Sequence, residues 1–307
     1  MDETGRIGGD VPCVRCGYDL RERGGGDACP ECGLGVERSV AAGQALRDSR
    51  PAWIRSLAWG AGLLMAAHLM LPVAWVVGAA GEVFIRQRAE RTGSWELYGL
   101  SDMPFSLAFL LVAVLHWAAC WLLTRPENPY ARVRPSRWLS RALLLCGAAP
   151  LLWALTLLGN DLIDYQWWFR RVAQPRWQSE LRGWAAWALV LYLPCPLFQL
   201  LLLRRLAVRV LNRRLLEHAT IVGIGYPLAA VSLAAAVWIL NSFHRSASVL
   251  ASPVGFSLTL LSLVAAGLFV LWAIYLYGMC MRAFGGAARE TQAAWLAADR
   301  GVEAAKG

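Results

Sequence analysis

Long apolar stretches separated by short polar ones fill this chain from Trp53 to Cys280. A helix needs about 20 residues to cross a hydrocarbon layer about 30 Å thick. Six stretches reach that length: Trp53–Ala79, Phe105–Thr124, Trp138–Gly159, Trp184–Leu203, Ala219–Leu240 and Phe256–Cys280. Each is made of Leu, Ala and Val runs, without the strict alternation of a half-buried strand. Trp recurs near their ends, where an amphipathic ring suits the headgroup level. Within lipid a segment must satisfy its own backbone polar groups, so these spans are read as helices. The pattern predicts an all-α integral membrane fold: a six-helix transmembrane bundle over residues 53–281, with the bilayer as its first partner.

Charge supplies an orientation. The chain has thirty Lys and Arg against twenty-one Asp and Glu, and only Lys306 is a lysine. Twenty-two of the thirty cations flank one face of the predicted bundle: the N-terminal region, the second and fourth connections and the tail; eight flank the other. Cation-rich connections stay in the cytoplasm, so both termini are expected there, in a bacterial inner membrane. The cations follow every inner margin and gather on no single domain, which fits membrane anchoring and not nucleic-acid binding. No secretory signal precedes the first span, which is expected to act as an uncleaved anchor. In the fourth connection Arg205, Arg209 and Arg213 recur at helical spacing, a stripe suited to anionic lipid headgroups.

Ahead of the bundle lies a polar stretch of a different kind, CVRCGYDLRERGGGDACPECG, residues 13–33. Cys13-x-x-Cys16 and Cys29-x-x-Cys32 stand twelve residues apart. Two residues between cysteines let one turn bring both sulfurs to one ion, and two such turns supply four thiolates in the tetrahedral arrangement zinc favours. Gly17 and Gly33 follow each pair, where a positive φ lets backbone N–H groups approach the sulfurs. Gly24, Gly25 and Gly26 form a loose tip between two expected short strands. Disulfides require an oxidising compartment, against the cytoplasmic placement of this head. A redox Cys-x-x-Cys sits in a βαβ context that is absent here. Iron suits the same S4 donor set, but structural zinc is the leading reading. Four protein ligands close the site to water, so it is expected to be structural and not catalytic.

The run CVRCGYDLR followed by CPECG resembles the zinc-ribbon head of membrane proteins from planctomycete bacteria that have no assigned activity. The likeness covers residues 13–33 and implies Cys13, Cys16, Cys29 and Cys32 as metal ligands. The chain divides into a zinc ribbon over 1–37, a linker over 38–52, the transmembrane domain, and a cytoplasmic helical tail over 282–307.

The bundle offers little chemistry. His68 and His116 fall within the first two spans, but their depths, counted from the inner end of each, differ by about 8 Å. That mismatch argues against a shared haem and for hydrogen bonds between packed helices. His218 and His244 are expected to be solvated, and the four cysteines Cys120, Cys146, Cys195 and Cys280 to be small packing residues. There is no His-Glu-x-x-His, and no span has a central charged residue. Asp161, Asp164 and Glu180 lie in a Trp-rich outer segment, residues 160–183, expected at the membrane surface. Pro194 and Pro196 crowd one span, and a proline-broken helix there would line a transporter or channel pathway. The leading expectation is a multipass membrane protein, not an enzyme, whose zinc ribbon docks a cytoplasmic protein. The alternative is transport.

Overall fold

The computed structural model describes residues 6–8, 11–41, 46, 49–94, 97, 100–127, 137–170, 194–210, 212–225, 228 and 253–304. Six helices run in the order α1 Val36–Ala41, α2 Pro51–Thr92, α3 Met103–Leu123, α4 Arg137–Arg170, α5 Cys195–Val210 and α6 Pro253–Ala304. Residues 213–225 are helical as well. Pro51 opens α2, where its missing N–H is no loss. Gly93 closes it with φ 64°, its N–H returning to the Ala89 carbonyl. The helices continue through Pro72 in α2 and Pro150 in α4.

Four helical stretches are long and apolar enough to cross a membrane: Pro51–Thr92, Met103–Leu123, Trp138–Gly159 and Gly267–Ala297. They mark the chain as a membrane protein and coincide with the first three expected spans and the last. Large apolar side chains cover their flanks, with Trp59 70% and Leu145 74% exposed, as a lipid-facing surface requires. The expected spans Trp184–Leu203 and Ala219–Leu240 lie largely outside the described residues; the described parts, 194–203 and 219–225, are helical or in the turn that opens α5.

Several boundaries differ from the sequence expectation. At 42 residues α2 is about 63 Å long and outruns the hydrocarbon layer. Helix α4 continues past Gly159 to Arg170, so the outer segment begins as its extension. Gly285 and Gly286 do not interrupt α6, and the expected tail is the continuation of the last span. Helix α1 crosses the boundary drawn at residue 37 and packs with the head through Val36 and Val40.

Helices α2 and α3 are the most closely joined pair. A Cβ on Gly60 would lie 2.8 Å from Leu123 Cγ, and one on Gly78 2.8 Å from the Phe105 Cα. Bare backbone at both ends of the contact lets the two antiparallel helices approach, as small residues do between membrane helices. Leu57, Ala61 and Leu64 of α2 share a core with Leu123, with Leu200 and Leu203 of α5, and with Leu276, Tyr277 and Phe284 of α6. On α4, Trp153 meets Phe109 of α3 edge to face at 4.6 Å.

One end of the bundle is tied by a polar cluster. Arg209 of α5 donates to both oxygens of Glu127, just past α3, at 2.8 and 2.9 Å. Ser49, before α2, donates to the same carboxylate and accepts from Arg209 at 3.1 Å. Trp53 lies under the guanidinium and donates from Nε1 to the Arg125 carbonyl at 2.9 Å.

Candidate metal centre

Each cysteine pair of the head sits on a turn of the same construction. The Cys13 N–H bonds to the Tyr18 carbonyl at 2.7 Å, and the Gly17 N–H returns to the Cys13 carbonyl at 2.9 Å. Sixteen residues later the Cys29 N–H bonds to Leu34 and the Gly33 N–H to Cys29, both at 2.8 Å. Gly17 and Gly33 take φ 85° and 72°, the left-handed conformation expected of them. Single bridges flank the turns, Pro12 with Asp19 and Ala28 with Gly35, and a third joins Arg6 to Gly24. The expected short strands are therefore reduced to isolated bridges among the described residues. Around the turns Ile7, Val14, Leu20, Leu34 and Val36 are buried with Cys13 and Cys29. Trp295 of α6 packs against this core, and Ser39 of α1 accepts the buried Val14 N–H at 3.2 Å.

The four sulfurs converge. A zinc–sulfur distance of about 2.3 Å in a regular tetrahedron places the sulfurs about 3.8 Å apart. Cys13 Sγ lies 3.6 Å from Cys32 Sγ, and Cys16 Sγ 3.7 Å from Cys29 Sγ. All four lie within 4.8 Å of one another, and all four thiols are free. The arrangement is compatible with a metal site built from the four cysteines that the sequence singled out.

Charge explains why such a cluster suits a cation. Burial pushes the Cys32 thiol up, and the neighbouring thiols of Cys13, Cys16 and Cys29 push it further. Burial also raises Cys16. At Cys13 burial is the largest influence and acts in the same direction, but the backbone N–H groups of Cys16 and Arg15 together with the Cys32 and Cys16 thiols outweigh it and bring the thiol down to about 7. One thiolate forms readily, and the others meet its field. A bound cation removes that repulsion and lets several thiols ionise together.

The remaining candidate residues are more scattered. Arg209 is drawn into the Glu127 and Ser49 cluster, its side chain 17% exposed. Arg213 pairs along its own helical stretch with Glu217 at 2.8 Å, and Arg205 is exposed. His218 is half-buried, accepting from Trp272 Nε1 at 3.1 Å, where a solvated side chain was expected. His244, Asp164 and Glu180 lie outside the residues whose side chains are described. Asp161 accepts from Ser106 Oγ. Pro194 and Pro196 sit at the first turn of the described helix α5, and residues 171–193 before them lie outside the described residues.

The depth argument about the two intramembrane histidines is overturned. His68 and His116 are neighbours, their ring centroids 6.3 Å apart. Helix α2 begins more than two turns beyond the end of α3, because Gly60, not Trp53, is level with Leu123. From that shared level the two histidines lie eight and seven residues away. His68 Nδ1 bonds to the Leu64 carbonyl of its own helix at 2.8 Å, whereas His116 Nε2 faces Gln199 of α5 at 3.0 Å. Gln199, fully buried, was missed by sequence reasoning. Its signal was present: His116 and Cys120, and Cys195 and Gln199, are two i,i+4 pairs that align polar atoms on facing helices.

No protein-family model matches the chain, and neither does any curated protein or solved structure.

Proposed function

We propose that this is a six-helix inner-membrane protein with both termini in the cytoplasm. In this reading its N-terminal head is a structural zinc ribbon held by Cys13, Cys16, Cys29 and Cys32, and the head docks a cytoplasmic protein. The observation that carries the reading is the four-sulfur cluster on two matching Gly-capped turns. A closed S4 set leaves no position for water or substrate, so its chemistry is to hold a fold. The fold it holds is small and polar outside, with Asp19, Arg21, Glu22 and Glu31 exposed, and it stands at the end of a helix that continues a membrane span. A rigid polar surface tethered at a membrane suits recognition of another protein.

The likeness to planctomycete zinc-ribbon heads over residues 13–33 supports zinc over iron in the same donor set. The remaining exposed basic positions, Arg205 among them, suit anionic lipid at the inner margin.

The test is affinity capture with the intact chain and with a variant carrying serine at all four cysteines, alongside metal analysis of both. The docking reading expects one zinc per chain and a partner set that disappears with the cysteines. Capture of the same partners by both proteins removes the head from that role.

A transport reading draws on one specific observation. The described helix α5 begins at Cys195, beside His116 and Cys120, about 11 Å within α3 from its inner end. A helix end at that depth is where carriers bind their cargo. Flux through proteoliposomes that is unchanged by P194A and P196A would count against it.

A further inference from the structure

Away from the head, a second group of soft donors converges within the bundle. His116 Nε2, Cys120 Sγ and Cys195 Sγ all lie within 4.8 Å of one another, and all three residues are buried. Cys195 Sγ is 3.6 Å from His116 Nε2. A sulfur and an imidazole nitrogen bound to one ion at about 2.3 and 2.0 Å lie about 3.5–3.7 Å apart. The spacing is already that of two ligands on one metal.

We propose that His116 Nε2, Cys120 Sγ and Cys195 Sγ form an intramembrane binding site for a copper(I) ion, separate from the zinc ribbon. Thiolate and imidazole donors select thiophilic cations. A Cys2His set holds zinc only with water or another ligand in the fourth position, whereas copper(I) is complete with three soft donors, so a buried three-donor site favours copper. Packing around the sulfurs is close: a Cβ on Gly147 of α4 would lie 2.8 Å from Cys120 Sγ and 3.9 Å from Cys195 Sγ, and Cys146 packs against the same cluster. Charge agrees. Copper(I) that replaces the proton of one thiol, with the second cysteine bound as a neutral thiol, leaves a neutral site that suits an apolar bundle interior; the proton leaves to solvent.

The competing description is a hydrogen-bonded knot between α3 and α5. The Gln199 amide nitrogen lies 3.0 Å from His116 Nε2, 3.3 Å from Cys120 Sγ and 3.6 Å from Cys195 Sγ. It stands where the three donors point. Its two hydrogens cannot serve three acceptors at once, and copper(I) would displace it. Its oxygen, which accepts from Tyr277 at 3.4 Å, keeps the side chain anchored nearby. His116 also lines a cleft of about 280 Å³ between α2, α3 and α4, together with His68, Ala67, Phe109 and Pro150, which borders the site on one side.

The test titrates the zinc-loaded full chain with copper(I) under anaerobic conditions against a chromogenic copper(I) chelator. The wild-type chain is expected to retain one copper(I) more than C120S/C195S. H116N should weaken that equivalent by more than the roughly 10–100-fold typical of losing an outer-shell partner. Q199L separates the two descriptions and also serves if C120S/C195S does not fold. A copper site keeps or tightens its ion when the competing amide is removed, even in a chain that melts earlier. Equal copper in wild type and C120S/C195S, or loss of copper in Q199L in step with stability, overturns the proposal. Retention of zinc(II) in place of copper(I) at these cysteines overturns the choice of metal.

Discussion

Stripping zinc from the proposed ribbon leaves a head whose described residues, 6–8 and 11–41, have a core of seven buried residues. At about 0.05–0.15 kcal/mol per residue, a unit of some thirty residues holds about 2–5 kcal/mol of net stability. Structural zinc contributes about 10–16 kcal/mol at pH 7 in small domains. The metal term exceeds the whole margin, so chelation should unfold the head. The helices should survive, because the head meets the bundle at the edge of its own core, through Trp295, and the α2–α3 contact lies elsewhere. Hydrogen exchange read by mass spectrometry checks both halves. The amides of Cys13, Gly17, Leu20, Cys29 and Gly33, all hydrogen-bonded in the head, should lose protection once metal analysis reads zero zinc. Peptides from α2 and α3 should keep theirs. Protection that persists in the zinc-free head would refute the metal's role, and loss of protection throughout α2 and α3 would refute the independence of the two parts.

Three further outcomes are expected. Glu127→Ala removes both partners of the Arg209 fork and should cost about 1–3 kcal/mol in detergent unfolding; a change below about 0.5 kcal/mol would mean that water screens the pair. Gly78→Leu forces a side chain into the Phe105 backbone and should cost about 1–3 kcal/mol, whereas Gly286→Leu, with nothing within 4 Å, should not. Cysteines introduced at Ser94 and Asn212 in a chain lacking exposed native ones should label from opposite sides of the membrane; labelling from one side would contradict the proposed topology.

Local chemistry was readable from the sequence, and relative placement was not. The positive φ at Gly17 and Gly33 follows from what a two-residue cysteine turn demands of the next residue, and both glycines have it. The apolar runs at Trp53, Phe105, Trp138 and Phe256 become helices because nothing within them offers a backbone alternative. What failed was register. The depth of His68 was counted from Trp53, yet the level shared with α3 is set by Gly60 pressing on Leu123, a contact between residues 63 positions apart. The same limit hid Gln199. On α5 alone it is one polar residue in an apolar run; opposite His116 and Cys120 it becomes the centre of a polar cluster. The tail expected from residue 282 is the unbroken continuation of α6 through Gly285 and Gly286, and residues beyond them, Ala288 and Thr291, are buried.

The polar cluster at one end of the bundle fixes which described helix ends lie together. Ser49 and Glu127 bond to each other, so the two helices between them, α2 and α3, carry the chain across and back. Arg209 bonds to the same carboxylate. Helix α5 brings Arg209 to that same end. The head precedes Ser49 by a few residues and packs on Trp295, so α6 also finishes at this end. Two ion-pair partners, one hydroxyl and one indole thus hold the described ends of α2, α3 and α5 at one end of the bundle, as the proposed six-helix reading needs. A chain whose Arg209 and Glu127 failed to couple in a double-mutant cycle would lose the fixed point on which this placement rests.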